Sequence, residues 1–135
     1  MHTKTLILSI PLLLCSFILA SSQIPSESDK TFEKGLSNYN AKDYAKAIVN
    51  FSKAIELDPK FEDAYVCRAD SFYELKKFDE AFADYSKVIE IDPTNVDGYS
   101  GRGAVYYEFK KYTLAIADFN KTQKPNFSNY RQWPP

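Results

Sequence analysis

Few side chains in this chain have the types and spacing that catalysis requires. Asp70 and Glu74 are four residues apart, which puts two carboxylates on one face of a helix and is compatible with acid–base chemistry. The only histidine is His2, close to the amino terminus. We interpret the two carboxylates as part of a binding face rather than as an acid–base pair, because nothing around them indicates a buried, catalytic setting.

The remaining candidates for chemistry are no stronger. Gly101-Arg102-Gly103 is too short for a phosphate-binding loop and falls within a predicted helix. Of the two cysteines, Cys15 lies in a segment that we expect to be removed. We interpret Cys67 as a small, half-buried residue, with an intermolecular disulfide as the alternative. We therefore expect no enzyme activity, no cofactor and no metal site that uses imidazole.

Residues 1–22 have the pattern of a secretory signal peptide. Met1–Thr5 contains one lysine, Leu6–Ala20 is mostly apolar, and Ala20-Ser21-Ser22 has small residues where a signal peptidase cleaves. The apolar segment has 15 residues and contains a proline, whereas a membrane-spanning helix needs about 20 residues. We predict cleavage before Gln23, export to a periplasmic or secreted location, and no stable membrane insertion of the mature chain.

A period of 34 residues organises the rest of the chain. Ala47, Ala81 and Ala115 are 34 residues apart, and an aromatic residue follows each of them by four positions. A small residue precedes each alanine by twelve positions, a lysine follows by six, and a proline follows the first two by twelve. These sets are Phe51, Tyr85 and Phe119; Gly35, Ala69 and Gly103; Lys53, Lys87 and Lys121; and Pro59 and Pro93. The recurrence of similar residues at so many positions of one period indicates an internal repeat.

Each unit contains two segments with helical periodicity, and no segment alternates with the period of a strand. Asp58-Pro59 and Asp92-Pro93 are predicted to end second helices, because proline cannot donate the helical hydrogen bond. Ser28 or Asp29 is expected to cap the first helix. The small residues of the first helices are expected to face the three repeated alanines where paired helices cross. The predicted first helices are 31–40, 65–74 and 99–108, and the second helices are 44–57, 78–91 and 112–124.

A 34-residue unit with these small, aromatic and Asp-Pro positions resembles the tetratricopeptide repeat (TPR). The resemblance implies an all-α fold, a right-handed superhelical solenoid of three helix-turn-helix units. The third unit has Phe127 where its closing proline should fall, so we expect its second helix to be clipped. We divide the chain into a signal peptide (1–22), a polar lead (23–27), repeats at 28–61, 62–95 and 96–125, and a tail (126–135) that could cap the solenoid.

The resemblance also implies a concave peptide groove lined by five positions of each unit. Relatives that clamp the carboxyl terminus of chaperones carry lysine, arginine and asparagine there, whereas this chain has Phe32, Leu36 and Asp70 at corresponding places. We expect a protein or peptide segment with basic and apolar side chains to bind, and an acidic carboxy-terminal peptide not to bind. The groove residues are Asp29, Phe32, Leu36, Tyr39 and Asn40; Asp63, Val66, Asp70, Tyr73 and Glu74; and Asp97, Ser100, Ala104, Tyr107 and Glu108.

Composition excludes one class of partner. The chain has 17 basic and 18 acidic residues, a formal net charge of −1 and no basic run, so we expect no nucleic-acid binding. We expect a non-catalytic protein-interaction scaffold. The alternative is a structural subunit, or a module that self-associates through its third repeat.

Overall fold

The computed structural model describes residues 24–123, which form six helices and no strand. The helices are α1 (Glu27–Asn40), α2 (Tyr44–Leu57), α3 (Glu62–Glu74), α4 (Phe78–Ile91), α5 (Val96–Glu108) and α6 (Tyr112–Thr122). Successive helices pack against each other, and the predicted all-α fold of three helix-turn-helix units is confirmed. None of these six helices is long and apolar enough to cross a membrane. The predicted signal peptide with its cleavage site, and the tail, lie outside the described residues.

The first helix of each unit begins earlier than predicted. Ser26, not Ser28 or Asp29, is the N-cap of α1: its Oγ accepts from Asp29 N at 3.0 Å, and its own N donates to Asp29 Oδ2 at 2.9 Å. This reciprocal pair is a capping box. The cap prediction was wrong because the first turn is polar, so apolar periodicity does not show where the helix starts. α3 and α5 likewise start three residues before the predicted positions 65 and 99.

The second helices α2 and α4 have the predicted bounds. Each is followed by a capping aspartate in extended conformation, with φ −136° at Asp58 and −128° at Asp92. This is the backbone that a following proline imposes on its predecessor. α6 has 11 residues where α2 and α4 each have 14, and it ends at Thr122 rather than at residue 124.

The turn inside each unit has the same geometry in all three copies. Lys42, Lys76 and Lys110 have φ values of 60°, 59° and 58°, in the left-handed region. In each turn the lysine N–H bonds the carbonyl of the residue three positions earlier, such as Lys76 N to Tyr73 O at 2.8 Å. The bond satisfies a carbonyl at the end of the first helix and turns the chain into the second helix.

The close approach of paired helices depends on small side chains. Ala47 and Ala81 are fully buried, and Ala115 is nearly so. A Cβ on Gly35 would collide with the ring of Phe51, so glycine allows that ring to lie against α1. We expected Gly35 to face Ala47, but the nearest side-chain atoms are those of Phe51. The larger ring fills the space that the missing side chain leaves open.

Two buried ion pairs repeat at the 34-residue period. Arg68 donates from Nε and Nη2 to the two carboxylate oxygens of Asp84, both at 2.7 Å, and Arg102 bonds Asp118 in the same way at 2.7 and 2.8 Å. Each pair joins the two helices of one unit. Because the partners are paired through two hydrogen bonds, these charges are held in place where they are largely shielded from water.

Candidate peptide-binding groove

The first helices of the three units contact one another, and the second helices do not. α1 contacts α3 and α3 contacts α5, whereas no contact within residues 24–123 joins α2, α4 and α6 to each other. Since the first helices are closer together, the stack curves with α1, α3 and α5 on its concave side. Every groove residue predicted from the sequence belongs to one of these three helices.

The structure brings part of the predicted set together in a depression between α3 and α5. The depression has a volume of about 390 Å³ and is open to solvent. Five of the predicted residues line it together with Gly101: Val66, Asp70, Asp97, Ser100 and Ala104. Asp97 and Ser100 are exposed, and Val66 and Asp70 are half-buried.

Tyrosines of one unit face carboxylates of the next along the same side. Tyr73 Oη donates to Glu108 Oε1 at 3.0 Å. Burial and then this hydrogen bond raise the pKa of Tyr73. Burial, followed by the negative charges of Asp70 and Glu74, raises the pKa of Tyr39. Both phenols are therefore neutral at physiological pH, and Tyr73 donates its proton in the hydrogen bond to Glu108.

Asp70 receives a hydrogen bond from a residue that the sequence analysis did not assign to the groove. Tyr85 of α4 donates from Oη to Asp70 Oδ1 at 2.5 Å. Burial raises the pKa of Asp70, the hydrogen bond from Tyr85 lowers it, and the charges of Asp97 and Glu74 raise it; the net shift is upward. The ring of Tyr85 lies where a Cβ on Gly101 would be, so glycine at this position lets Tyr85 reach the groove.

Other predicted groove residues have contacts of a different kind. Phe32 packs against the rings of Phe51 and Phe61, with centroids 5.5 and 4.8 Å away, and Leu36 is half-buried. Asp29 completes the capping box of α1. Tyr107 is 59% exposed and makes an edge contact with Tyr112. Asn40 and Asp63 are exposed.

The acidic side chains of the groove have no cationic partners. Asp63, Asp70, Glu74, Asp97 and Glu108 take part in none of the ion pairs found within residues 24–123. The two arginines of the described residues, Arg68 and Arg102, are bonded to Asp84 and Asp118 instead. As far as residues 24–123 are concerned, the concave side therefore has uncompensated negative charge, which attracts cationic groups.

Cys67 is a half-buried thiol next to this acidic surface. Burial, with smaller contributions from Asp70, Asp63 and Asp97, raises its pKa to about 12. The thiol is therefore protonated at neutral pH and is a poor nucleophile. In the part of the chain that the structure describes, no three His, Cys, Asp or Glu side chains are arranged to hold a metal ion.

Comparison with known proteins identifies the repeat. The family model for the TPR repeat matches residues 35–75 and 69–109. A search of curated proteins found no match. Among solved structures, the TPR domain of Arabidopsis OM64 is 35% identical, with a TM-score of 0.69, and the match covers 70% of this chain and 78% of that one.

Two further solved structures were determined with a ligand. The first TPR of Spaghetti (RPAP3), bound to the HSP90 peptide SRMEEVD, is 25% identical with a TM-score of 0.71, and the match covers 78% of this chain and 86% of that one. The TPR2B domain of yeast Sti1, in a complex with pHsp70, is 24% identical with a TM-score of 0.69, at 78% and 88% coverage. Proteins of this family are typically non-catalytic interaction modules. The 34-residue period, the three helical hairpins and the match over most of the repeat region show that this chain belongs to the TPR repeat family.

Proposed function

We propose that this chain is a non-catalytic interaction module that binds an extended protein segment with basic and apolar side chains along α1, α3 and α5. The observation that carries the proposal is the row of groove carboxylates that have no cationic partner among the described residues 24–123. Cationic side chains of a ligand would neutralise them. The half-buried Val66 and Leu36 and the tyrosine rings offer apolar surface between the charges.

The comparison with an occupied relative sharpens the proposal. The peptide SRMEEVD in the Spaghetti (RPAP3) structure has three acidic residues and one basic residue. The groove of this chain also has negative charge, so it would repel such a peptide. The proposed preference of this groove is therefore for peptides with positively charged side chains.

A charge-reversal experiment tests the proposal. Isothermal titration of the full chain with blocked peptides that alternate arginine and valine should show binding, and SRMEEVD should not bind. The Asp70→Lys/Glu74→Lys variant should bind the basic peptide at least about tenfold more weakly, the effect of losing about 1.4 kcal/mol. Because Asp70 is half-buried, Glu74→Lys/Glu108→Lys is a second variant that changes only exposed side chains.

The matched control reverses two charges on the second helices. Glu56 and Glu90 are exposed and 34 residues apart on α2 and α4, so Glu56→Lys/Glu90→Lys changes the net charge equally without touching the groove. It should retain binding. If both groove variants keep their affinity with circular dichroism unchanged, the binding surface lies elsewhere.

The sequence of residues 1–22 also supports a proposal about the compartment. We propose that residues 1–22 are removed on export and that the mature protein begins at or near Gln23 in a periplasmic or secreted location. The support is the small-residue site after a 15-residue apolar segment. Amino-terminal sequencing of protein from the exported fraction checks it, and intact Met1 in the membrane fraction would contradict it.

A second candidate is self-association through the third repeat. The observation that favours it is exposed apolar surface on α6, where Tyr112, Leu114 and Ile116 are 52%, 47% and 59% exposed. Apolar side chains grouped at the end of a solenoid are a common site of protein contact. A dimer mass in light scattering at micromolar concentration would support this function.

A further inference from the structure

Two residues of the second repeat break the pattern of its neighbours. Asp70 is at the position of Leu36 in the first repeat and of Ala104 in the third. Tyr85 is at the position of Phe51 and Phe119. Only the second unit has a carboxylate and a phenol at these two places, and the structure joins them by the hydrogen bond from Tyr85 Oη to Asp70 Oδ1.

This polar pair lies where the fold otherwise uses apolar side chains. Tyr85 is 4% exposed, belongs to the core cluster with Ala69, Ala81 and Val105, and its ring lies against Gly101. Burying a carboxylate is unfavourable unless its oxygen atoms are satisfied. A leucine and a phenylalanine, as in the first repeat, would fill the same positions without that penalty. Filling this space therefore does not require the carboxylate and the phenol.

Asp70 lines the depression between α3 and α5, and its second carboxylate oxygen is open to solvent rather than sealed in the core. Oδ1 accepts from Tyr85, whereas no hydrogen bond within residues 24–123 reaches Oδ2. Asp97 lines the same depression, and its carboxylate likewise has no hydrogen-bond or ion-pair partner in the described chain. Val66 and Ala104 supply apolar surface, and the volume of about 390 Å³ leaves room for one long side chain.

We propose that this depression is the anchor pocket for a single arginine side chain of the bound segment. The guanidinium group would lie between Asp70 and Asp97, since its planar set of five N–H donors can bond two carboxylates at once. The aliphatic stem would pack on Val66 and Ala104. Tyr85 is a positioning residue that holds the Asp70 carboxylate in place. The inference rests on the proposed function. It adds that this arginine sets the register of the bound segment along the groove.

The test uses two probe peptides that differ only in charge. One is a blocked heptapeptide of alanine and valine with a central arginine, and the other has citrulline, the neutral counterpart of arginine, in its place. Both are titrated into the full chain and followed by amide chemical shifts. The arginine peptide should bind at least about tenfold more tightly, as a charged hydrogen-bonded pair provides, with the largest shifts at Val66, Asp70, Gly101 and Ala104.

The decisive variant transfers the apolar pair of the first repeat to the second. Asp70→Leu/Tyr85→Phe should reduce the preference for arginine over citrulline to less than about twofold, while the affinity for the citrulline peptide and the melting temperature are maintained or rise. Tyr85→Phe alone should lower the preference for arginine over citrulline to an intermediate value and leave the affinity for the citrulline peptide unchanged. If Tyr85 had only a structural role, the preference would not change in this way. Tyr65→Phe removes a hydroxyl that bonds Pro59 O outside the pocket and is the control.

The outcomes separate this inference from the proposed function. A tenfold preference that persists in Asp70→Leu/Tyr85→Phe would overturn the pocket and leave a basic-peptide groove intact. If the two peptides bind with equal affinity and both shift the amides of α1, α3 and α5, the pocket is also overturned. If neither peptide shifts those amides at millimolar concentration, the proposed function fails together with the pocket.

Discussion

At the scale of single residues, the carboxylate of Asp70 faces titratable groups from four helices. These are Tyr39 of α1, Cys67 and Glu74 of its own helix, Tyr85 of α4 and Asp97 of α5. Burial is the largest of the influences that raise the pKa of Asp70 above its usual 3.8, and the two acidic neighbours act in the same direction. The protonation state of this carboxyl group therefore affects both stability and the groove charge.

The pH dependence of stability follows from the direction of that shift. A carboxyl group whose pKa is higher in the folded than in the unfolded state destabilises the fold when ionised, and acidification relieves the penalty. The free energy of unfolding of Asp70→Asn should therefore be higher than that of the parent, and the difference should be largest at neutral pH. The difference should shrink as pH falls through the raised pKa of Asp70 toward 3.8. Urea unfolding at a series of pH values measures it, and a difference independent of pH would contradict the prediction.

At the scale of helices, the three second helices begin with the same backbone conformation, but only one of them has a side-chain cap. Asp43, Lys77 and Lys111 are N-caps with φ near −87° to −89° and ψ between 63° and 71°. Only Asp43 bonds its helix, accepting from Lys46 N at 3.2 Å. The same conformation is therefore stabilised by a side chain in the first repeat and not in the other two.

Supplying the missing cap should stabilise α4. We predict that Lys77→Asn raises the free energy of unfolding by about 1 kcal/mol, since asparagine is a strong N-cap and lysine is not. Asparagine avoids adding a negative charge next to Glu80 in the first turn. Lys77→Ala is the control, because it removes the lysine without providing an acceptor. Equal stability of the two variants in urea denaturation would exclude a capping effect.

At the scale of the whole molecule, no following unit covers the last helix of the repeat array within residues 24–123. Phe82 of α4 packs on Tyr106 of the next repeat at 5.2 Å, and Phe78 packs on Phe109 at 6.3 Å. The equivalent residues of α6 are Ile116 and Tyr112, which are 59% and 52% exposed. This surface is apolar because the repeat pattern continues, although no further repeat covers it in the described residues.

We predict that residues 126–135 cover this face, since Phe127, Tyr130 and Trp133 supply large apolar side chains directly after the third repeat. Deleting 126–135 should lower the melting temperature by at least about 4 °C, the shift produced by ~1 kcal/mol in a small domain, or cause association. Calorimetry and light scattering provide the two measurements. A full-length variant with the three aromatic residues changed to serine should behave like the deletion. If the truncated protein is as stable and as monomeric as the parent, the tail does not cover this face.

Much of the architecture could be predicted from the sequence, because its signals are local. The 34-residue period, the 3.6-residue periodicity and the Asp-Pro pairs predicted the six helices, two of them to the residue. The glycine and alanine positions indicated close helix contacts. The departures at positions 70 and 85 from the apolar residues of the other repeats were also visible, and they are the signal that could have identified Asp70 and Tyr85 as a pair.

Tertiary structure decided which of these residues meet. Asp70 and Asp97 are 27 positions apart and line one depression only because α3 and α5 pack side by side. Tyr85 reaches Asp70 from a second helix because Gly101 leaves space for its ring. The Arg68–Asp84 pair and the left-handed Lys76 turn depend in the same way on how helices are placed relative to each other. Periodicity along a chain determines the face of a helix, whereas contacts between helices depend on rotamers and packing distances that no local pattern specifies.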